Sequence, residues 1–391
     1  MRQPQYTITP RAIHHHAAHL CQCHLRLHDH GPLCTAVTIL TVLFYAAARL
    51  ISRAAACAAL RDGPCDSAVH AALMATLPEI HELQRRLNRA LQGDLPKALR
   101  RRRQPLAIDL ILIPYHGEPL CDAGEVYRGQ AKSGTTHFHA YATAYVLRKG
   151  QRFTVALVYV RKGDDLADVV RELLRQAAKA GVRPHYLLLD RGFYSVSVVR
   201  YLQAARCPFL LPVPAKGRKA DHPQGPSGTR VFHLRRRSGW SQYTLRNAQG
   251  QKATVQICVR CRNYRGQWQR HGRQALVYGF WGLRPSSYRW VSETYRLRFG
   301  IETTYRQLHQ ARIRTCTRDP LLRLLYVGIA LLLRNVWVWL HWEVLAHPHR
   351  GGRQIDLDQL GFRAMLVGLQ HLAEELFGIC DEIHAQHPMP P

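Results

Sequence analysis

The stretch LLLDRGFY, Leu187 to Tyr194, runs from three leucines into an acid and a basic glycine turn. The leucines read as a strand buried on both faces. Aspartate is disfavoured in strands, and a carboxylate in a core is costly unless it is paired or bound to a metal. Asp190 therefore marks either a cap on the following turn or a functional site. Taken alone, it favours the cap.

The flanking segments set this strand in a layered fold. DDLADVVRELLRQAAKAG precedes it, with acids in the first turn of a helix and Gly181 at its end. SVSVVRYLQAARC then reads as a helix and PFLLPVP as a strand. Upstream, after Pro105, LAIDLILIPY, THFHAYATAYVL and RFTVALVYV read as three strands, the last two joined by a turn at Arg148-Lys149-Gly150. Three strands, helix, strand, helix, strand is a mixed α/β layer fold.

Asp109 is a second lone acid, set inside LAIDLILIPY. If its strand neighbours that of Asp190, the two carboxylates face each other at one sheet edge. Like charges at that range repel unless a cation sits between them. Carboxylate oxygens favour magnesium or manganese as that cation.

Scarcity points to a third acid. Between Asp190 and Glu302 the only acids are Asp221 and Glu293. Asp221 lies in the loop AKGRKADHPQGPSG, a poor platform. Glu302 lies in TYRLRFGIETTYRQLHQARIR, which has a helical period. At about 100° per residue, Tyr295, Arg298, Glu302, Arg306 and His309 fall on one face and Leu297, Ile301 and Leu308 on the opposite one. The spacing predicts one amphipathic helix with an acid among phosphate-binding groups. A solvated surface helix would show the same pattern.

Charge supports a polyanionic partner. The chain of 391 residues has 55 Lys+Arg against 26 Asp+Glu, a formal charge of +29, with 47% hydrophobic residues. Such a chain folds, and nucleic acid is the commonest ligand for that excess of positive charge. Residues 212–292 hold sixteen Lys/Arg and one acid, with Arg235, Arg236 and Arg237 as the densest run. The same segment carries Trp240, Trp268, Trp281 and Trp290 and the strand-like runs ATVQICVRCRNY and ALVYGFWGL. Cations neutralise phosphates and aromatics stack on unpaired bases, although tryptophans also pack small β domains.

The remaining segments are less informative. HHHAAHLCQCHLRLHDH holds seven of the 23 histidines at irregular spacing and is expected to be a tail or an adventitious metal binder. Cys258 and Cys261 form an isolated CVRC pair, whereas a structural zinc site needs four ligands. Eleven cysteines without a secretory h-region fit reduced thiols in a cytoplasm. Residues 36–103 read as helical. A Gly-Pro turn allows a helix-turn-helix, and Ile80, Leu83, Leu87 and Leu91 form one stripe. Ala36 to Ala48 and Leu324 to Leu333 fall short of the roughly 20 apolar residues of a membrane span, so both are expected to be core helices.

AIDL, LLLDRGFY and YRLRFGIE together resemble the three acidic motifs of DDE transposases from prokaryotic insertion sequences. The branch resembled is the cut-and-paste one with a β-rich insertion before the third acid. Its third motif runs Tyr, two residues, Arg, three residues, Glu, six residues, Lys. Tyr295, Arg298 and Glu302 match, while His309 stands at the lysine and Arg306 is the nearest substitute.

The resemblance, over about residues 104–345, implies a ribonuclease-H-like mixed-sheet core at 104–212 and 291–345, split by a basic β-rich insertion at 213–290. A His/Cys-rich tail at 1–35, a helical domain at 36–103 as the candidate DNA-end binder and a C-terminal helical tail at 346–391 complete the expected layout. It implies that Asp109, Asp190 and Glu302 are catalytic and hold two Mg2+ (or Mn2+) ions. Tyr295, Arg298, Arg306, His309 and Arg235 to Arg237 would contact DNA. The implied reaction is cleavage at the element's ends and strand transfer into target DNA. The implied partners are terminal inverted repeats, target DNA and a second copy in the synaptic complex, with no membrane, in a nucleoid-associated cytoplasmic setting. A ribonuclease-H-like nuclease would share the acids without joining strands, and a non-catalytic derivative would share only the charge.

Overall fold

The computed structural model describes residues 7–148, 150–265, 271–299, 307–350 and 352–380. The chain divides into two compact units, Leu95–Tyr305 and Met1–Asp94 with Arg306–Pro391.

The first unit is built on a mixed sheet of nine strands. Strand β1 (Gln104–Pro114) pairs antiparallel with β3 (Thr135–Val146) and parallel with β5 (Pro184–Leu189). Strands β2 (Tyr127–Lys132) and β4 (Thr154–Val160) both pair with β3. Beyond β5 come β6 (Phe209–Pro212), β9 (His271–Trp281), β8 (Lys252–Arg265) and β7 (Gly239–Arg246). Every residue of β4 is buried, as is nearly all of β3, which explains their β-branched and aromatic content.

Helices cover the sheet. Helix α7 (Leu166–Lys179) packs on β3 and β4, and α8 (Val196–Ala204) packs on β8. Helix α10 (Tyr288–Arg296) packs on β8 and β9, where its Val291 and Tyr295 join Ala107, Leu188, Leu210 and Phe280 in one buried cluster. Side chains alternate along strands, so this is the face on which Asp109, two residues after Ala107, stands.

This is the mixed α/β fold expected from the sequence, with its β-rich insertion. The insertion is an extension of the core sheet, since β9 is hydrogen-bonded directly to β6. Strand β2, with the polar sequence YRGQAK, was not foreseen. It is mostly exposed, so no apolar alternation marks it.

The second unit is helical. It contains α1 (Pro10–Leu25), α2 (Ala36–Arg49), α3 (Arg53–Ala59), α4 (Asp66–Thr76), α5 (Ile80–Gln92), α11 (Pro320–Trp339) and α12 (Phe362–Phe377). The short helices α6 (Lys97–Arg101) and α9 (Arg230–His233) belong to the first unit. A small hairpin, β10 (His347–His349) with β11 (Gly352–Gln354), follows α11.

The expectation of an N-terminal tail is corrected for residues 10–25. Thr9 caps α1 by accepting from the Ala12 N–H, and Pro10 occupies the first turn, where its missing N–H costs nothing. Ile13, Ala17, Leu20, Cys21 and Leu25 are buried along one stripe. Two histidines are held by partners: buried His14 lies 2.8 Å from Thr41 Oγ1, and half-buried His16 lies 2.7 Å from Asp94 and stacks at 3.8 Å on Trp339. Residues Pro320–Val344 are long and apolar enough to cross a membrane by length and composition, yet 94% of their apolar window is buried inside the protein.

Candidate active site

The register of three strands places the first two acids. Asp109 lies opposite Thr143 of β3 and is 9% exposed. On the other side, the parallel pairing of Ile108 with Leu189 sets Asp190, one residue past β5, beside it. The two lone acids of the sequence therefore meet where β5 ends beside the middle of β1.

Asp190 does not cap its turn. It precedes the 3-10 turn Arg191–Phe193 without a side-chain capping bond. Its carboxylate instead faces Arg298, with Nη2 3.3 Å from Oδ1. The same nitrogen donates to Asp109 Oδ2 at 2.7 Å. Two oxygens held by one nitrogen can be no further apart than those two distances laid end to end. Asp109 also accepts from the Leu110 N–H at 2.8 Å.

The electrostatics follow from burial. The Asp109 carboxyl is raised to about 6, chiefly because burial disfavours its charged form. The Arg298 guanidinium opposes that rise, the Asp190 charge adds to it, and the Leu110 N–H opposes it. An ion pair that leaves an acid above its ordinary range shows that desolvation outweighs the single cation here.

Helix α10 delivers that cation. Tyr295 in its last turn is buried, and its hydroxyl donates to the Leu189 carbonyl at 3.3 Å. The Arg298 guanidinium lies 5.9 Å from the Tyr295 ring centre. The chain does not continue as the single helix read from the sequence. It ends α10 at Arg296 and tightens into a 3-10 turn over Leu297–Phe299. Three residues per turn rotate each side chain by more than the α-helical step. Tyr295 and Arg298 still share a side, but burial is the reverse of an apolar-in helix: Leu297 is 50% exposed, whereas Tyr295 and Arg298 are buried. Leu308 is buried as its face required, and His309 is exposed. Ile301, Glu302 and Arg306 lie outside the described residues.

The insertion carries the other expected contacts. Arg235 is half-buried, 5.0 Å over the Phe232 ring and 3.5 Å from Ser241 Oγ, while Arg236 and Arg237 are exposed. Trp240 is 43% exposed, with ring centres of Tyr288 at 4.7 Å and Phe280 at 5.9 Å. Trp290 packs partly against the core, Trp281 is half-buried, and Trp268 lies outside the described residues. Cys258 is buried, and Cys261 Sγ contacts the Arg235 carbonyl. Among the described residues, no group of three or more His, Cys, Asp or Glu is placed to hold a metal.

Sequence reasoning overlooked Thr143, whose backbone is paired with that of Asp109 and which is 1% exposed. A threonine in a strand carries no signal of its own.

Asp109 and Asp190 supply hard oxygen donors from two rigid strands, already gathered around one positive group. That donor set fits Mg2+ or Mn2+ and fits soft, thiol-seeking metals poorly.

Residues 100–336 match the family described as "Transposase DDE domain". Among solved structures, the chain is similar to the piggyBac transposase in its cryo-EM synaptic complex with hairpin DNA. The TM-score is 0.53 at 10% sequence identity, covering 97% of this chain and 82% of that one. At that identity the likeness is one of fold. No curated protein matches the chain in sequence.

Proposed function

Because the chain belongs to the transposase DDE-domain family, we propose that it cuts DNA at the ends of a prokaryotic insertion sequence and joins those ends to target DNA. The carrying observation is the convergence of Asp109, in the middle of β1, and Asp190, just past the end of β5, on Arg298. The ribonuclease-H-like core with its insertion provides the platform.

Asp109 and Asp190, with Glu302 as the third acid, would hold two Mg2+ or Mn2+ ions. Such ions lower the pKa of an attacking water and stabilise a leaving oxygen in an in-line displacement. Asp109 contributes rigidity, since its strand is paired on both sides. Asp190 contributes access, since its side chain remains 44% exposed. Water attack nicks DNA at the element's end, and the released 3′-hydroxyl attacks the target strand. His309 replaces the lysine of the third motif, so phosphate gripping there falls to His309 and Arg306. Exposed Arg236 and Arg237 on the insertion add backbone contacts. Two copies in a synaptic complex, working on nucleoid DNA, complete the reading.

The test uses DNA bearing the element's terminal inverted repeats, with Mg2+ or Ca2+. The expected result is nicking followed by joined product with Mg2+. Nicking that never yields joined product would instead identify a nuclease.

A further inference from the structure

We propose that Arg312, Arg314 and Arg323 of the helical unit form a separate phosphate-binding site that takes a backbone phosphate of DNA. The DNA part of this inference rests on the function proposed above.

The segment Ala311 to Thr317 is irregular, and its burial alternates. Ala311 and Ile313 are buried, Arg312 and Thr315 are half-buried, and Arg314 is exposed. Arg314 is fixed by a parallel bridge to Ser52, with its N–H donating to the Ile51 carbonyl at 3.0 Å. Residues two apart in extended chain share a side. Arg312 and Arg314 therefore stand together, opposite the buried Ala311 and Ile313.

The chain then folds back on itself. Asp319 caps α11 by accepting from the Leu321 N–H, which occupies that carboxylate with the helix end. Arg323, in the first turn of α11 and 6% exposed, donates through Nε to the Thr317 carbonyl at 2.7 Å. That bond brings a third guanidinium back to the segment carrying the other two.

Two described acids of this unit are committed elsewhere. Asp66 pairs with Arg53 at 2.6 Å, and Asp319 makes the helix cap. Among the described residues, neither Arg312 nor Arg314 makes a side-chain hydrogen bond or ion pair. The Arg312 guanidinium is held below its ordinary range, first by burial and then by the charges of Arg314 and Arg323. A half-buried Arg312 beside Arg314, with no side-chain partner for either among the described residues, is costly, and arginine forks match phosphate oxygens in geometry. Surface arginines scattered over a basic protein do not repel one another in this way.

The full chain and its Arg312→Gln and Arg314→Gln variants test the site with two probes. With inorganic phosphate, the melting temperature of the parent protein should rise while that of Arg312→Gln barely moves. In phosphate-free buffer, Arg312→Gln should melt no lower than the parent, because the change removes an unpaired charge. With duplex DNA, each variant should lower the slope of log affinity against log salt by about one. Arg312→Lys should recover part of both effects. Equal stabilisation of parent and variant by phosphate, or unchanged salt slopes, would overturn the proposal. A parent protein that binds no DNA, yet shows stabilisation by phosphate that depends on Arg312, would count against the DNA reading while upholding the anion site.

Discussion

Arg298 Nη2 sits 2.7 Å from Asp109 Oδ2 while remaining 3.3 Å from Asp190 Oδ1, so one guanidinium bridges both acids of the sheet. Arg298→Gln removes that cation and leaves two facing carboxylates, one of them buried. Breaking a buried pair from one side costs about 3–5 kcal/mol. Asp190 is partly solvated, which places the expected loss at the lower end, about 3 kcal/mol. Denaturant melts in EDTA should show this loss, and Mn2+ should restore more stability to the variant than to the parent. Equal melts of variant and parent in EDTA would show that the guanidinium is not the counter-charge.

Asp109 should make the metal-free protein lose stability as pH rises. Its pKa is raised from 3.8 to about 6 in the fold. Below the lower value both states are protonated and the group contributes nothing. Between the two values the folded state holds the extra proton, so stability falls as pH rises towards about 6 and then levels off. The total is on the order of 3 kcal/mol, at about 1.4 kcal/mol per pKa unit. Asp109→Asn should flatten this part of the stability profile in EDTA between pH 4 and 7. A profile that keeps its slope in the variant would assign it to other groups.

Asp190→Asn keeps the side chain's size and makes no change to a capping bond, since none exists. It should abolish nicking and joining of element-end DNA while end binding in a gel-shift stays intact or tightens slightly. Glu302→Gln should behave the same way. Cleavage at the parent rate by either folded variant would remove that residue from the site.

The insertion's arginines should separate into two classes. Arg236→Gln with Arg237→Gln should weaken binding to all duplex sequences and flatten the salt dependence by about two. Arg235→Gln should instead lower stability by about 1 kcal/mol, because Arg235 packs over Phe232 and bonds to Ser241. A salt slope unmoved by the double change would mark the pair as plain solvated surface.

Removing α1 should unfold the helical unit. Deleting residues 1–30 strips Leu20 and Leu25 from the core, each worth about 1.5–3 kcal/mol, along with the His14–Thr41 bond. A deletion with native circular dichroism and an unchanged melting temperature would show the helix to be dispensable.

These sites were legible in the sequence to different degrees, for physical reasons. Asp109 and Asp190 stood out because a charge inside an apolar run is expensive, and the strand register then joined them. The core strands β1, β3, β4 and β5 were readable from their continuous burial. Strand β2 was not, because an edge strand in water needs no apolar face. Helix α1 was misread from composition: its stripe of Ile13, Ala17, Leu20, Cys21 and Leu25 has helical spacing, but the histidines between them suggested a tail. The third motif was assigned a uniform 100° rotation. The tighter turn at Leu297–Phe299 has no distinct sequence signal, and nothing in the pattern indicates that Arg298 within it points inward to the carboxylates.

Strand β6 has only four residues, yet it is hydrogen-bonded on both edges, to β5 on one side and to β9 on the other. It acts as a mechanical coupling. A load applied to β7, β8 or β9 by DNA pulling on the insertion runs across backbone hydrogen bonds into β5, whose next residue is Asp190. The insertion cannot swing as a hinged flap without first shearing that ladder, so tension on the insertion and the position of the Asp190 carboxylate are tied through two strands.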